Sequence, residues 1–351
     1  MVASKGGTVT IEHVASAAGV SRQTVSRVIN NGPNVKPAVR ERILQVIDQL
    51  GYVPNLAARR MGGARSYLIL AINDRQRTIH NWQAGLGNDW VDQMLYGGML
   101  TCEERGYHML FELVDTQQEC AVRQVERALA ALQPDGVMLT PPHTENTALS
   151  GLLESRGIPY GRIGAAARED GINVFMNDAE ASSAAVRHLV ELGHQRIAFI
   201  SGSADYAASD TRLAGYGAAL AGYGIAAVDA YVEHGDFSFA SGVAAMDRLL
   251  ALPVPPTAVI ASNDEMAFAA LHAADARGIA VPGGLSVVSF DDTPGVRFSV
   301  PPLTAIRQPI ADLSASLCGR LVDAVNGAPR TGNHELPFEL VVRKTTAAPA
   351  S

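Results

Sequence analysis

The sequence predicts an all-α head joined to a larger α/β body made of two lobes with parallel sheets. At 351 residues, with 47% hydrophobic and 18% charged residues, the chain is globular and long enough for about two or three domains. Residues 1–65 contain nine basic and three acidic side chains, a net charge of +6, whereas the remainder carries −13 of the total of −7. From Tyr67 onward, short apolar runs alternate with amphipathic stretches, which is typical of parallel sheets covered by helices.

Three short helices are predicted in the head. Thr10 is suited to cap a first helix that Gly19 ends, and Ser21 begins a second helix. A third runs from about Pro37 to Leu50, and Gly51 ends it. Two helices joined by a tight glycine turn form a helix-turn-helix, whose second helix enters the major groove of DNA. Other small helical bundles share such turns and exposed arginines, so these features alone leave that alternative open.

The outer face of the second helix carries side chains suited to DNA. The guanidinium of Arg22 matches two acceptors of guanine, and the amide of Gln23 matches adenine. Short hydroxyl side chains suit phosphate oxygens. The DNA-binding residues predicted on this basis are Ser21, Arg22, Gln23, Thr24, Ser26 and Arg27.

The head resembles that of the lac/gal repressor family of bacterial transcription regulators. The resemblance rests on Thr10-Ile-x-x-Val-Ala-x-x-Ala-Gly-Val-Ser-x-x-Thr-Val-Ser-Arg-Val-x-Asn30, followed by Gly51-Tyr-x-Pro-Asn-x-x-Ala58. It implies a helix-turn-helix domain over 8–53, with the recognition helix from Ser21 to Asn30, and it adds Thr10 and Asn30 to the predicted DNA-binding residues. It also implies a hinge helix and linker over 54–65 that enter the minor groove through Asn55, Ala58 and Met61. Met61 stands where the family usually has leucine.

The body, predicted over 66–347, alternates strands with helices. The predicted strands are Tyr67 to Ile72, His108 to Val114, Gly136 to Thr140, Ile158 to Ile163, Arg196 to Ser201, Ala258 to Ala261 and Leu285 to Phe290, with a possible further start near Ile172. Predicted helices are Asp92 to Glu104, Glu119 to Leu132, Asp178 to Leu192, Thr211 to Ala221, Ala240 to Leu250 and Glu265 to Arg277. This pattern fits two doubly wound lobes, with chain crossovers near 175, 308 and 335.

Polar side chains follow several of the body strands. Ligands of such sheets bind beyond the carboxyl ends of the strands, where the sequence places Arg212, Asn263, Asp291 and Gln308. Paired acceptors, an amide and a guanidinium suit a polyhydroxyl ligand. Helix caps or surface ion pairs explain each residue singly about as well.

The body also resembles the effector domain of the same family, a periplasmic-binding-protein-like fold, and is closest to the lac-repressor branch. The resemblance rests on Leu192-Gly-His-x-Arg-Ile-Ala198, Arg212-Leu-Ala-Gly-Tyr216, Ala261-x-Asn-Asp264, Ser286-Val-Val-x-Phe-Asp-Asp292, Pro301-Pro-Leu-Thr304 and Arg343-Lys-Thr-Thr346. It implies sugar-hydroxyl contacts from Arg212, Asn263 and Asp291, a further contact from Gln308, and an aromatic sugar-stacking role for Phe237. His143-Thr144 stands where that branch has an aspartate that contacts the sugar. The segment Asn73 to Asp89 is about ten residues longer than in that branch and is expected to bring Trp82 and Trp90 to the mouth of the cleft. Tryptophan faces stack on sugar rings, which favours a glycoside or an oligosaccharide as the ligand. Packing or a dimer contact explains the two tryptophans equally well. Phe175 completes the candidate effector-binding residues.

The expected function is that of a sequence-specific transcriptional repressor controlled by a carbohydrate or glycoside effector, release by the effector being the commoner outcome in the family. The resemblance implies a homodimer and hence a pseudo-palindromic double-stranded operator.

A sugar-transport protein would require a signal peptide and would leave the basic head unexplained. An enzyme is not expected, because the chain has no G-x-G-x-x-G, G-x-S-x-G, H-E-x-x-H or P-loop motif. Three scattered cysteines, Cys102, Cys120 and Cys318, and no apolar run of membrane-spanning length favour a cytoplasmic protein without metal, cofactor or membrane partner.

Overall fold

The computed structural model describes residues 9–29, 32–52, 65–164 and 167–350. The chain divides into two units, Met1–Tyr67 with Leu132–Pro134, and Leu68–Ala131 with Asp135–Ser351. The predicted hinge helix, with Asn55, Ala58 and Met61, lies outside the described residues, as does Asn30 of the predicted recognition helix.

The first unit contains the predicted helices of the head. They are α1 (Ile11–Ala18), α2 (Arg22–Ile29) and α3 (Pro37–Leu50). Gly19 and Gly51 end α1 and α3 in the left-handed region, at φ 63° and 60°, where glycine carries no steric penalty. Apolar side chains at helical spacing meet in one small core, made of Val14, Ala15, Ala18, Val25, Val28, Ile43 and Tyr52.

The second unit contains two six-stranded sheets. The strands of the first sheet are β1 (Leu68–Asp74), β2 (His108–Val114), β3 (Gly136–Leu139), β4 (Tyr160–Ile163), β5 (Ile172–Phe175) and β11 (Gly332–Glu335). Those of the second are β6 (Ile197–Ser201), β7 (Val232–His234), β8 (Ala258–Ala261), β9 (Ser286–Asp291), β10 (Thr304–Arg307) and β12 (Glu339–Val341). The first sheet has the order β11-β5-β4-β3-β1-β2, and the second has the order β12-β10-β9-β8-β6-β7. All neighbouring strands are parallel except β10 and β12, which are antiparallel.

Helices cover the sheets because the central strands β1, β3, β6 and β8 are apolar on both faces. In the second sheet, Ala198 and Ile200 of β6 belong to one core and Phe199 to another, as the two-residue period of a strand requires. The helices of the body are α4 (Arg75–Gln83), α5 (Asp89–Glu104), α6 (Gln118–Leu132), α7 (Thr147–Ser155), α8 (Asp178–Glu191), α9 (Ala207–Gly222), α10 (Phe239–Leu250), α11 (Asp264–Asp275) and α12 (Ile310–Val325). Each predicted helix of the body has a counterpart among them, whereas α4, α7 and α12 were not predicted.

The chain passes between the two sheets three times: from β5 to α8, from β10 to α12, and from β11 to β12. Although α12 follows a strand of the second sheet, it packs on β3, β4 and β5 of the first and against α5. At Gly97 of α5 a Cβ would lie 1.9 Å from the carbonyl oxygen of Ala311, so only glycine permits this close helix packing. The chain therefore reaches α12 from the second sheet although this helix belongs to the first lobe, so neither lobe is made from one continuous stretch of chain.

Candidate functional site

A cavity of about 300 Å³ lies between the two lobes of the second unit. It is formed by residues that follow strands of both sheets, where parallel α/β sheets bind ligands. Asn73, Asp74 and Thr144 come from the first lobe, and Arg212, Asn263 and Asp291 from the second.

Arg212 of α9 lies in this cavity in a fixed orientation. Its Nε donates to Asp178 Oδ1 at 2.7 Å, and its Nη1 donates to the carbonyl oxygen of Ser262, also at 2.7 Å. The guanidinium lies over the ring of Phe290, 4.4 Å from its centre. Arg212 and Asp178 are both buried, and a buried ion pair needs such additional contacts to be tolerated. These contacts fix the planar guanidinium of Arg212, with its N–H donors, at the wall of the cavity.

The pKa values of Asp291 and Asp264, two neighbouring carboxyl groups of the second lobe, are raised. Burial raises the pKa of Asp291 to about 6, against the opposing effect of the Arg212 and Arg77 guanidinium groups. Asp291 Oδ1 accepts a hydrogen bond from Gln308 Nε2. Asp264 is buried at the start of α11, and burial, followed by repulsion from Asp291, raises its pKa well above the ordinary value.

Asn263 links the start of α11 to the aromatic candidate, Phe237. Its Oδ1 accepts from the backbone N–H of Met266 at 3.0 Å and so caps the helix. Its Nδ2 donates to the carbonyl oxygen of Phe237 at 2.8 Å. Phe237 is buried and lies in the left-handed region at φ 68°, with its ring so close to Gly202 that a Cβ there would lie 2.0 Å from the ring.

The helix α4, which the sequence analysis missed, connects the two lobes at the cavity. Arg77 donates through Nη1 to the carbonyl oxygen of Asp236 at 2.7 Å and through Nη2 to that of Phe237 at 3.3 Å. Asp74 Oδ2 accepts from the hydroxyl of Tyr206 at 2.8 Å, and burial together with this carboxylate raises the pKa of Tyr206 above its ordinary range. These residues lacked a family motif, and only the tertiary structure brings them together.

Several cavity-lining side chains have a buried polar atom without a hydrogen-bond partner among the described residues. Buried polar atoms in native proteins are nearly always paired, so a cluster of exceptions in one cavity needs an explanation. The cluster offers both donors and acceptors. It consists of Asn73 Nδ2, Ser262 Oγ and Glu265 Oε2.

The structure brings together five of the eight predicted effector-binding residues: Arg212, Asn263, Asp291, Gln308 and Phe237 all line the cavity. Trp90 lines it too, whereas Trp82, His143 and Phe175 do not.

Trp82 is more than half exposed and contacts Phe111 edge-on, with 6.4 Å between ring centres. His143 is buried with Nε2 3.2 Å from the carbonyl oxygen of Val114, and its neighbour Thr144 lines the cavity instead. Next to Phe175, it is Met176 that reaches the cavity wall.

In the first unit, α2 exposes the predicted base-reading side chains Arg22 and Gln23. Arg22 Nη1 lies 2.9 Å from Glu12 Oε1 in an exposed ion pair. Ser21 Oγ accepts from the backbone N–H of Thr24 at 3.2 Å, which begins the helix at the predicted place. Of the other predicted residues described, Thr10 and Arg27 are exposed and Ser26 is partly exposed.

Other kinds of site have no counterpart among the described residues. No group of three or more His, Cys, Asp or Glu side chains in 9–29, 32–52, 65–164 and 167–350 is arranged to hold a metal ion. Within the same ranges, none of the helices combines the length and the apolar character that crossing a membrane requires. Cys102, Cys120 and Cys318 are free thiols.

Comparison with known proteins agrees with this geometry. Residues 10–55 match the family "Bacterial regulatory proteins, lacI family", and residues 186–346 match the "Periplasmic binding protein-like domain". The HTH-type transcriptional regulator CelR of Thermobifida fusca is 35% identical over 91% of this chain and 92% of its own length. Among solved structures, a CelR–cellobiose complex has a TM-score of 0.72 at 32% identity, covering 96% of this chain and 99% of that one. A lac repressor dimer bound to operator and the anti-inducer ONPF has a TM-score of 0.79 at 29% identity, covering 97% and 100%.

A helix-turn-helix head and a two-lobed ligand-binding body on one chain define a DNA-binding regulator that senses a small molecule. The chain belongs to the LacI family of bacterial regulatory proteins.

Proposed function

We propose that this protein is a transcriptional repressor whose operator affinity is controlled by an uncharged carbohydrate or glycoside bound between the two lobes. The observation that carries the proposal is the cavity itself, where fixed donors, acceptors and unpartnered buried polar atoms meet. A sugar ring presents adjacent hydroxyls that donate and accept at once, and it satisfies such a wall. The cellobiose in the CelR complex is a ligand of this chemistry.

The charge of the cavity narrows the ligand class. The lining includes two guanidinium groups, those of Arg77 and Arg212, and six carboxyl groups. An anionic ligand such as a sugar phosphate would meet a surplus of negative charge in a partly desolvated site, which is unfavourable. We therefore assign the hydroxyl contacts to Arg212, Asn263, Asp291 and Gln308, and ring stacking to Phe237. Of the remaining candidates, His143, Trp82 and Phe175, none lines the cavity, and any role of theirs would be indirect.

The DNA-binding part of the proposal rests on α2. With this helix in the major groove, Arg22 and Gln23 reach base edges while the hydroxyls of Ser21, Thr24 and Ser26 meet phosphates. Arg22 must exchange its partner Glu12 for guanine when the operator binds. Thr10, Arg27 and Asn30, with Asn55, Ala58 and Met61 of the proposed hinge, complete the interface.

We further propose that the protein acts as a homodimer on a pseudo-palindromic operator. Large apolar side chains are exposed on α5 and β2, namely Tyr96, Met99, Leu100 and Leu110. An exposed apolar patch of this kind is typical of a surface that another chain covers. A two-fold dimer presents two copies of α2 to two half-sites. The lac repressor in the operator complex is such a dimer.

Because it binds operator DNA in this proposal, we also assign the protein to the bacterial cytoplasm, where that DNA lies, and to the regulation of transcription rather than to catalysis. A transport protein with the same body would have no use for a basic helix-turn-helix. Binding of the effector shifts the two lobes and changes operator affinity through a coupling free energy of about 1–3 kcal/mol.

The test is to titrate the full-length protein, bound to its own fluorescently labelled upstream DNA, with cellobiose, lactose, glucose, galactose and glucose 6-phosphate. DNA anisotropy reports release, and the fluorescence of Trp90 in the cavity wall reports binding. We expect one neutral sugar to release the DNA and glucose 6-phosphate to have no effect. Tighter DNA binding would make the sugar a corepressor, and binding of the phosphate alone would contradict the charge argument.

A second measurement tests DNA binding separately. The apparent affinity for the same DNA is followed between about 50 and 200 mM salt, over which phosphate contacts predict a steep loss. A flat profile, or binding that ignores the DNA sequence, would reject the proposed operator interface.

A further inference from the structure

We propose that Arg77 is a positioning residue for the effector site: from the first lobe it holds Phe237 of the second lobe in the conformation that faces the cavity. The identity of the ligand rests on the proposed function, whereas the positioning role rests on geometry alone. Arg77 lies in the first turn of α4, a helix that the sequence analysis did not predict.

Phe237 needs external support because its backbone is in a conformation that side-chain-bearing residues rarely adopt. Its φ of 68° lies in the left-handed region, which is favourable for glycine but not for phenylalanine. Such conformations persist only where the surroundings determine them, and they cluster at ligand-binding sites. The ring itself is packed against Gly202 and meets the ring of Tyr206 edge-on, with 5.2 Å between centres.

Arg77 supplies that support through three contacts. Its two terminal nitrogens donate to the successive carbonyl oxygens of Asp236 and Phe237, and its guanidinium lies over the Phe237 ring, 5.1 Å from the centre. The Phe237 carbonyl oxygen accepts a second hydrogen bond from Asn263 of its own lobe. A planar fork of donors makes these contacts together, and the single ammonium of lysine does not.

Arg77 is itself held in place by its own lobe. Its backbone N–H donates to Asp74 Oδ1 at 3.1 Å, and the other oxygen of Asp74 accepts from Tyr206. At the end of the segment that follows α4, Asn88 Nδ2 donates to the carbonyl oxygen of Thr78 at 3.3 Å. The first turn of α4 is therefore a fixed support, so the position of the Phe237 ring depends on both lobes at once.

The functional consequence concerns effector affinity. A ring that stacks on a sugar face must be in place before the sugar arrives, because ordering it on binding reduces affinity. Arg77 preorganises Phe237 only while the lobes are close, so loss of Arg77 weakens the stacking contact without removing the ring. This distinguishes a positioning residue from a direct ligand contact.

The first experiment needs no effector. Hydrogen–deuterium exchange of the full-length protein is followed for the peptide that spans Asp236–Ser241, whose Asp236 and Ser238 amides are hydrogen-bonded. We expect Arg77→Met to accelerate exchange there about tenfold or more and Arg77→Lys to have a smaller effect. Arg75→Met is the matched control, since Arg75 is in the same helix turn but lies near Asp115 at 3.8 Å. Unchanged exchange in Arg77→Met would overturn the proposal, and Arg77→Lys serves as the test if the methionine variant does not fold.

The second experiment is a double-mutant cycle with the sugar that binds in the panel described above, measured by calorimetry. We expect Arg77→Met to weaken binding about tenfold, Phe237→Ala to weaken it more, and the double variant to resemble Phe237→Ala, because Arg77 acts through Phe237. Additive losses would overturn the proposal by making Arg77 an independent ligand contact. If no sugar binds the unaltered protein, the proposed function fails while the exchange experiment still decides the role of Arg77.

Discussion

The recognition helix and the effector cavity use similar side chains in opposite surroundings. Arg22 of α2 is two-thirds exposed, and its partner Glu12 is about half exposed. Arg212 is almost completely buried, and so is its partner Asp178. An exposed ion pair is weak and exchanges easily, whereas a buried pair is costly to break. The difference leaves Arg22 free to exchange its partner and locks Arg212 in place, which under the proposed function suits a DNA contact at the first site and a small-ligand contact at the second.

The comparison is tested most strongly at Arg212. Arg212→Met removes hydrogen bonds from a charged group, about 1.5–3 kcal/mol each, so we expect effector affinity to fall at least about 100-fold while operator binding is retained. Calorimetry with the active sugar and DNA anisotropy measure the two effects. The variant leaves Asp178 unpaired, so Arg212→Met combined with Asp178→Asn controls for folding. A retained response to the sugar in both variants would place the effector elsewhere.

At the exposed site, Arg22→Ala is expected to cost about 1–3 kcal/mol at the operator and to relax the preference at one base position. Selection from a randomised operator library, followed by anisotropy, measures specificity and affinity. Arg248→Gln is a suitable control, because Arg248 is an exposed, ion-paired arginine of the body. Loss of affinity with unchanged base preference would make Arg22 a phosphate contact instead.

A third prediction uses the titration of Asp291. Its pKa of about 6 is raised by burial and moderated by Arg212 and Arg77, with Asp178 and Asp264 as neighbouring acids. A carboxylate accepts sugar hydroxyls better than a carboxylic acid, so effector affinity should fall by up to about tenfold per unit as pH drops below 6. Because the pKa is raised on folding, the contribution of this group to the free energy of unfolding decreases as pH rises through 6. Calorimetry from pH 5 to 8 tests this, and Asp291→Asn should remove the pH dependence; an identical profile in that variant would assign it to another group.

The smallest expected effect is at Glu12. Hydrogen bonds to its own backbone and to Thr10 lower the pKa of Glu12, so it is ionised and holds Arg22. Glu12→Gln should therefore tighten operator binding a few-fold. Glu41→Gln on α3 is the control, because it removes one negative charge of the head without touching the ion pair of Arg22. An equal gain of operator affinity in both variants, measured by anisotropy, would attribute the effect to the lower net negative charge and not to the release of Arg22.

The comparison also separates what the sequence predicts from what it does not. The head is encoded locally, in caps, glycine stops and apolar positions at helical spacing, and α1, α2 and α3 lie where these signals place them. The alternation of the body predicts its parallel sheets for the same reason. The helix α4 was missed because its sequence, RQRTIHNWQ, is polar and has almost no apolar stripe.

Side-chain direction explains most of the remaining differences at the cavity. Phe175 and His143 each have a neighbour, Met176 and Thr144, that lines the cavity in their place. A shift of one residue changes the face on which a side chain lies, and no local pattern fixes that choice. Trp82 lies on a helix that was not predicted, so its direction was not predictable either. Arg77 and Tyr206 are far apart in the sequence, and only packing of the two lobes brings them to one site.

The three chain segments that join the two sheets have a mechanical consequence. In the first sheet β11 pairs with β5, and in the second sheet β12 pairs with β10, so strands next to the connections are neighbours. Three connections restrict the relative movement of two lobes more than one connection would, because every segment must follow the same displacement. A ligand in the cavity and the contact of Arg77 with Phe237 therefore act on lobes whose movement the connections already limit.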